Sequence, residues 1–192
     1  GVLAATLLAA SAYAFAAPVT YTMDPAHTDV VAQWSHFGFS NPIAHFGQVE
    51  GTITYDPDNV AASKVEVVMP LAGLSSHVKA FDEHLRSAGF FDVERFPTIT
   101  FASTNIEEIR DRAYIVTGDL TIRDVTQTIT VPLELGGVMV DSFGETRAGF
   151  EGSRRVRRRD YGLEWNLPMD KGGVLVSEKI DLEVEISAVK KG

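Results

Sequence analysis

The chain has 192 residues, a formal net charge of −9, 45% hydrophobic residues and no cysteine. That length supports one domain with a single core, and the missing thiols exclude disulfide stapling and thiol nucleophiles. The acidic balance excludes a general affinity for nucleic acid or anionic lipid surfaces, because the summed field repels phosphates.

Residues 1–16, GVLAATLLAASAYAFA, carry no charge and end in Ala14-Phe15-Ala16, the small-x-small pattern that closes a secretory signal peptide. The sequence therefore predicts a leader over 1–16, its basic start lying upstream of Gly1, and a periplasmic or secreted domain over 17–192. An uncleaved anchor is the competing reading, since the apolar run to Val19 approaches the roughly 20 residues of a bilayer span. Alanine-rich stretches insert weakly, and no later stretch is long and apolar enough to cross, so stable membrane insertion is not expected after cleavage.

The rest reads as a succession of strands. VTYTM (19–23) and VVAQWSHF (30–37) come first. In QVEGTITYDP, Val49, Ile53 and Tyr55 share one face, the two-residue period of a half-buried strand, and Asp56-Pro57-Asp58-Asn59 makes a turn. KVEVVMPL turns Val65, Val67, Met69 and Leu71 inward, with Pro70 marking a strand end. TITFAS groups Ile99 with Phe101. YIVTGDLTI aligns Tyr114, Val116, Gly118, Leu120 and Ile122, and after the Arg123-Asp124 bend QTITVPLEL aligns Ile129, Val131, Leu133 and Leu135, which predicts a hairpin. RAGFEGSRRV (147–156) and KIDLEVEISA follow. The latter turns Ile180, Leu182, Val184, Ile186 and Ala188 one way. The count reaches about nine, with some segments joining into one bent strand.

Only LSSHVKAFDEHLRS has a helical period. Leu74, Val78, Phe81 and Leu85 recur at steps of four, three and four behind Ser75 or Ser76 as N-cap, which predicts one short amphipathic helix. Many antiparallel strands with one apolar face indicate a closed barrel or a sandwich. A barrel of about eight strands either fills with side chains or holds one small apolar ligand, and the pattern leaves both open. The apolar density in and after the helix, Phe81, Leu85, Phe90, Phe91, Phe96 and Phe101, has the same two readings: packed core or cavity wall. So does the cluster of Trp34, Phe37, Phe39 and Phe46 around Gly38 and Gly47.

Five histidines, His27, His36, His45, His77 and His84, invite a metal or catalytic reading. His27 lies between Asp24 and Asp29, and imidazole with carboxylate serves zinc sites and general bases alike. The spacings match no compact ligand motif, however, and no serine sits in a G-x-S-x-G elbow. No metal site and no catalytic residues are expected. In SRRVRRRD, the five arginines at 154, 155, 157, 158 and 159 must project to both faces of a strand, which turns at least one toward the barrel interior or its mouth.

Four stretches, in order and spacing, carry a resemblance: DPAHTDVVAQWSHFGFSNPIAHFGQVEGTITYDP, FDEHLRSAGFFDVERFPTITFAST, VTGDLTIRDVTQTITVPLEL and RRRDYGLEWN. Over residues 19 to 189 the chain resembles the YceI-like, polyisoprenoid-binding proteins. The most specific block is HLRSAGFFDVERFPTITFAST. One departure is Asp124 at a bend that usually carries glycine, a position where aspartate tolerates left-handed backbone.

The resemblance implies an all-β fold, a lipocalin-like, extended antiparallel eight-stranded barrel with one short helix, exported and holding a long isoprenoid or fatty chain. It implies ligand contacts from Trp34, Phe37, Phe39, Phe46, Phe81, Leu85, Phe90, Phe91 and Phe101, with the helix as a lid. His84 would orient the helix end or meet a head group, and Arg159, which opens the family-like RDYGL element, would hold an isoprenoid pyrophosphate bidentately. The expected partner is an isoprenoid (quinone, prenol or prenyl pyrophosphate) or acyl lipid, with no cofactor, no nucleic acid and no chemistry performed. Whether the protein forms a homodimer is left open. Two alternatives are a periplasmic metal-assisted hydrolase using His27, and a fully packed barrel that binds a partner in a stress or electron-transfer pathway.

Overall fold

The computed structural model describes residues 17–168 and 175–192; the expected leader over 1–16 lies outside them. Among the described residues there are eleven strands: β1 Val19–Met23, β2 Asp29–His36, β3 Ile43–Phe46, β4 Glu50–Tyr55, β5 Lys64–Pro70, β6 Leu74–Ser75, β7 Thr98–Arg110, β8 Ala113–Ile122, β9 Val125–Val140, β10 Thr146–Arg157 and β11 Val176–Lys190. The one α-helix among the described residues, α1, spans Lys79–Arg86.

Every ladder is antiparallel, and the order β1-β4-β5-β7-β8-β9-β10-β11 closes through β1–β11 into an eight-membered ring. The remaining three strands are continuations. β11 pairs with β1 at Ala188–Lys190 and with β2 from Val176 to Glu185, so β1 and β2 are two halves of one bent strand. By the same pairing logic β3 precedes β4 and β5 precedes β6, since β2 pairs β3 and β3 pairs β6. The result is a closed eight-stranded antiparallel barrel in up-and-down order, which removes every free edge along the ring.

Alternation places the core as the sequence pattern requires. Val116, Gly118, Leu120 and Ile122 of β8 are buried, as are Val49, Ile53, Val65, Met69, Leu71 and Ile99. The β8–β9 hairpin forms with Ile122 opposite Val125. The left-handed position within it is Arg123 (φ 57°) rather than Asp124, so the bend tolerates the absence of glycine by straining its first central residue instead.

The helix begins later than its period suggested. Leu74 and Ser75 are held in β6 opposite Phe46 and His45, where strand pairing overrides the helical spacing. The Ser76 backbone N–H and hydroxyl both donate to the Asp82 carboxylate at 2.6 Å, and helical geometry starts only at Lys79, without a side-chain cap. Arg86 then donates to the carbonyls of Leu71 and Leu74, tying the helix to the strand it follows.

Candidate functional site

At the β2–β3–β6 end the barrel wall is incomplete, because β6 stops after two residues and pairs only with β3. Helix α1 and the chain behind it occupy that end, and burial of Leu85, Phe90 and Phe91 fixes them there. Behind them lies a cavity of about 450 Å³, within the usual size range of small-molecule sites. Trp34, Ala44, Phe46 and Leu74 line one wall, Phe81, His84, Leu85, Phe90 and Phe91 another, and Leu163, Trp165, Leu175 and Ile180 the third.

The aromatic walls are ordered by ring geometry. Trp34 meets Phe81 at 5.5 Å, Phe46 meets Phe91 at 5.8 Å and 89°, and Phe90 meets Trp165 at 5.5 Å. His84 stands edge-on to both Phe90 (5.2 Å) and Trp165 (4.5 Å). The edge-to-face pairs, Phe46–Phe91 and those of His84, satisfy the ring quadrupoles, and the other two are tilted at 42° and 43°.

Three smaller cavities continue along the barrel. One of about 80 Å³ shares Phe46, Phe91 and Ile180 with the large cavity. The next, about 90 Å³, shares Val30, Met69, Leu120 and Leu182 with it. The last, about 130 Å³, shares Val65, Val116 and Leu133 and reaches Tyr55, Tyr114 and Val138 at the far end. The hydrophobic core is therefore interrupted by a segmented apolar passage, where close packing ordinarily leaves few voids larger than a water molecule.

Few polar groups reach this passage. Arg158 is only 3% exposed. Its Nε donates to the Ser177 carbonyl (3.0 Å), Nη1 to the carbonyls of Leu163 and Trp165 (2.9 Å for Trp165), and Nη2 to that of Val176 (3.5 Å). Burial, with the neighbouring Arg159 charge, pushes its pKa down. The Tyr161 hydroxyl and His84 Nε2 are buried without a hydrogen-bond partner, and burial pushes the Tyr161 pKa up to about 12.

Residues 21–188 match the model of the YceI-like domain. A UPF0312 protein of Vibrio vulnificus (strain YJ016) is 36% identical over 166 residues, covering 86% of this chain and 84% of that protein. The chain belongs to the YceI-like family. Among solved structures, Burkholderia cenocepacia BcnA is similar with a TM-score of 0.75 at 20% identity, covering 86% of this chain and 98% of BcnA. A polyisoprenoid binding domain from Saccharophagus degradans aligns with a TM-score of 0.67 at 12% identity, over 89% of this chain and 98% of that domain. At those identities the two structures speak for the fold alone.

Within this YceI-like barrel the structure gathers Trp34, Phe46, Phe81, His84, Leu85, Phe90 and Phe91 around the large cavity. Phe101 lies further in, on the wall of the 90 Å³ cavity. Phe37 and Phe39 are outside, 41% and 83% exposed. Phe37 takes a left-handed backbone (φ 56°), so the inward alternation of Trp34 and His36 ends there. Phe96 also lies outside, with the guanidinium groups of Arg95 and Arg123 at 5.0 and 5.8 Å from its ring.

Arg159 is exposed; its neighbour Arg158 is the buried arginine, and Arg154, exposed overall, touches the wall of the 90 Å³ cavity. The strand alternation that left the choice open stops at Arg157, where a 3₁₀ turn over Arg158–Tyr161 swings residue 158 into the barrel. Trp165, Leu163 and Leu175 were not singled out by the sequence. They lie in irregular chain with no two-residue or 3.6-residue period, and the only pointer was the RRRDYGLEWN stretch, which contains Leu163 and Trp165. His27 is bonded to Asp24 at 2.8 Å with its side chain 69% exposed, and is not among the residues lining the barrel cavities. Among the described residues, no group of three or more His, Cys, Asp or Glu could hold a metal ion.

Proposed function

We propose that this protein binds one long-chain isoprenoid or acyl lipid inside the barrel, as an exported carrier that performs no chemistry on it. The observation that carries this reading is the 450 Å³ cavity, walled by aromatic and aliphatic side chains and continued by three smaller apolar cavities along the barrel. Each methylene moved from water into such a space contributes about 0.8 kcal/mol, so a long chain binds tightly with few polar contacts. The scarcity of polar groups on the passage fits a chain rather than a polar metabolite. The solved Saccharophagus degradans domain is named for polyisoprenoid binding, which agrees with this reading without carrying it. Export rests on the uncharged run and Ala14-Phe15-Ala16 of the first 16 residues.

Protein purified from its native host without denaturants, and examined by native mass spectrometry, should carry a discrete added mass, because a desolvated long chain leaves slowly. Organic extraction should then release an apolar molecule. If extraction returns none, and added isoprenoids or fatty amides neither bind nor raise the melting temperature, the carrier reading fails.

A further inference from the structure

We propose that the rim of the large cavity is a docking surface for an uncharged or zwitterionic lipid bilayer, through which lipid passes between the membrane and the barrel without crossing water. The proposal rests on the lipid-binding reading above and adds where the lipid enters and from what.

Four large apolar side chains stand exposed around the opening: Phe37 (41%), Phe39 (83%), Val78 (57%) and Leu167 (54%). Val78 is itself part of the cavity wall. Phe37 and Phe39 lie on the turn between His36 and Pro42, both of which line the cavity. The Phe37 N–H donates to the carbonyl of Leu175, another wall residue, and the Leu175 N–H donates to the carbonyl of Leu167. The exposed patch thus adjoins the cavity wall at His36, Pro42, Val78 and Leu175. Single exposed apolar residues are ordinary, whereas a cluster joined to a cavity marks an interaction site.

The turn displays its rings by construction. His36 and Ser40 exchange backbone hydrogen bonds at 2.8 and 3.2 Å, and the Phe39 N–H also donates to the His36 carbonyl. Phe37 sits at φ 56° and Gly38 at φ 82°, a strained choice for a bulky residue that persists only where the surroundings enforce it. The strain brings the two phenylalanine rings parallel, 5.8 Å apart at 13°, pointing away from the core. His77, directly before Val78, is also left-handed at φ 64°. Rigid aromatic rings presented in this way suit the headgroup level of a bilayer, where an apolar face embeds by about 5–10 Å.

Charge selects among lipid surfaces. Beside Val78, Lys79 faces Glu83 at 3.7 Å, so this part of the rim carries no local excess of positive charge. The chain as a whole is at −9. An anionic membrane would be repelled, and the apolar rim is left to drive association by itself.

An exposed apolar side chain that joins no cavity supplies the control. Ile109 on β7 is 58% exposed and is not among the residues lining the barrel cavities. The test uses the full chain with phosphatidylcholine vesicles and a pyrene-tagged hexadecanol as lipid probe. The parent protein should float with the vesicles equally at low and high salt and should take up the probe from them. Phe39→Asp should lower vesicle partitioning and the uptake rate about tenfold, the equivalent of losing one buried aromatic side chain. It should still bind probe delivered directly from solution and melt at the parent temperature, since Phe39 packs against no cavity. Ile109→Asp should change none of these. Docking is overturned if the parent binds the probe from solution yet does not float, if Phe39→Asp floats like the parent, or if Ile109→Asp is as damaging. Failure of the parent to bind the probe from solution overturns the lipid-binding reading instead, independently of the flotation result.

Discussion

The ring of Phe101 on β7 lies over Gly118 on β8, so close that a Cβ on Gly118 would meet Phe101 Cζ at 2.5 Å and the Ala102 carbonyl oxygen at 2.5 Å. Gly118 holds an inward position in the β8 alternation, where any side chain would occupy the space the ring uses. The glycine therefore seats Phe101 flat against the wall and leaves the 90 Å³ cavity beside it open. Because two of the three colliding atoms, the Ala102 carbonyl oxygen and the Ser103 Cα at 2.8 Å, are backbone, Gly118→Ala cannot be relieved by a rotamer change alone. The substitution should destabilise the protein by about 1–3 kcal/mol, as overpacking does. A urea midpoint equal to the parent's would show that the seat is not required.

Phe81 reaches from α1 to Trp34 across the mouth of the large cavity, 5.5 Å between ring centres. It is only half-buried, so its replacement removes part of the cavity's cover without hollowing the core. Phe81→Asp should cost at most about 2 kcal/mol of stability while abolishing retention of lipid through purification. Lipid content by mass spectrometry and a thermal melt, measured on the same preparation, separate the two effects. Equal lipid content in variant and parent would make Phe81 a packing residue and remove the lid.

How far the sequence reached depends on periodicity. Where alternation runs unbroken, as in Ile180 to Ala188 or Val116 to Ile122, the inward set was legible because a one-residue slip would put every apolar side chain in water. The bent strands were half legible. The pattern of β2 was plain, but β3 has only four residues and β6 two, too few for a period to appear. The cavity itself was not legible, since an inward phenylalanine reads the same whether it meets a ring or a void. Arg158 shows the limit most sharply. Five arginines in six positions have no distinguishing pattern, and only the 3₁₀ turn after Arg157 decides which one is buried.

Arg158 bridges the chain at Leu163 and Trp165 to the start of β11 at Val176 and Ser177. Removing it leaves several buried carbonyls without donors, each costing about 1–3 kcal/mol. Arg158→Ala should therefore destabilise the protein by about 3 kcal/mol or more and release Trp165 from the cavity wall, which tryptophan fluorescence would report as a red shift. Arg159→Ala, at an exposed position, should stay within about 0.5 kcal/mol of the parent. Comparable losses for both variants in chemical denaturation would refute the division between them.

Acid should loosen the far end of the barrel first. Arg147 on β10 donates to Asp141 in the β9–β10 turn at 2.6 Å and to Asp24 after β1 at 2.7 Å, clamping three segments together. The Arg147 guanidinium, followed by His27, holds the Asp24 carboxyl at about 2, below its ordinary 3.8. Arg147 lowers Asp141 as well. A carboxylate with a depressed folded-state pKa contributes stability above its unfolded value, and the contribution fades as pH falls toward the folded one. The clamp is therefore fully present at neutral pH and is lost between about pH 4 and pH 2. Asp24→Asn should lower the melting temperature at pH 7 by about 2–4 °C, corresponding to roughly 1 kcal/mol for a solvent-screened pair. The variant and parent curves should converge as pH approaches 2. Thermal melts across that range check the sign: a difference that is constant with pH, or that grows in acid, would mean that the charge on Asp24 does not hold the clamp.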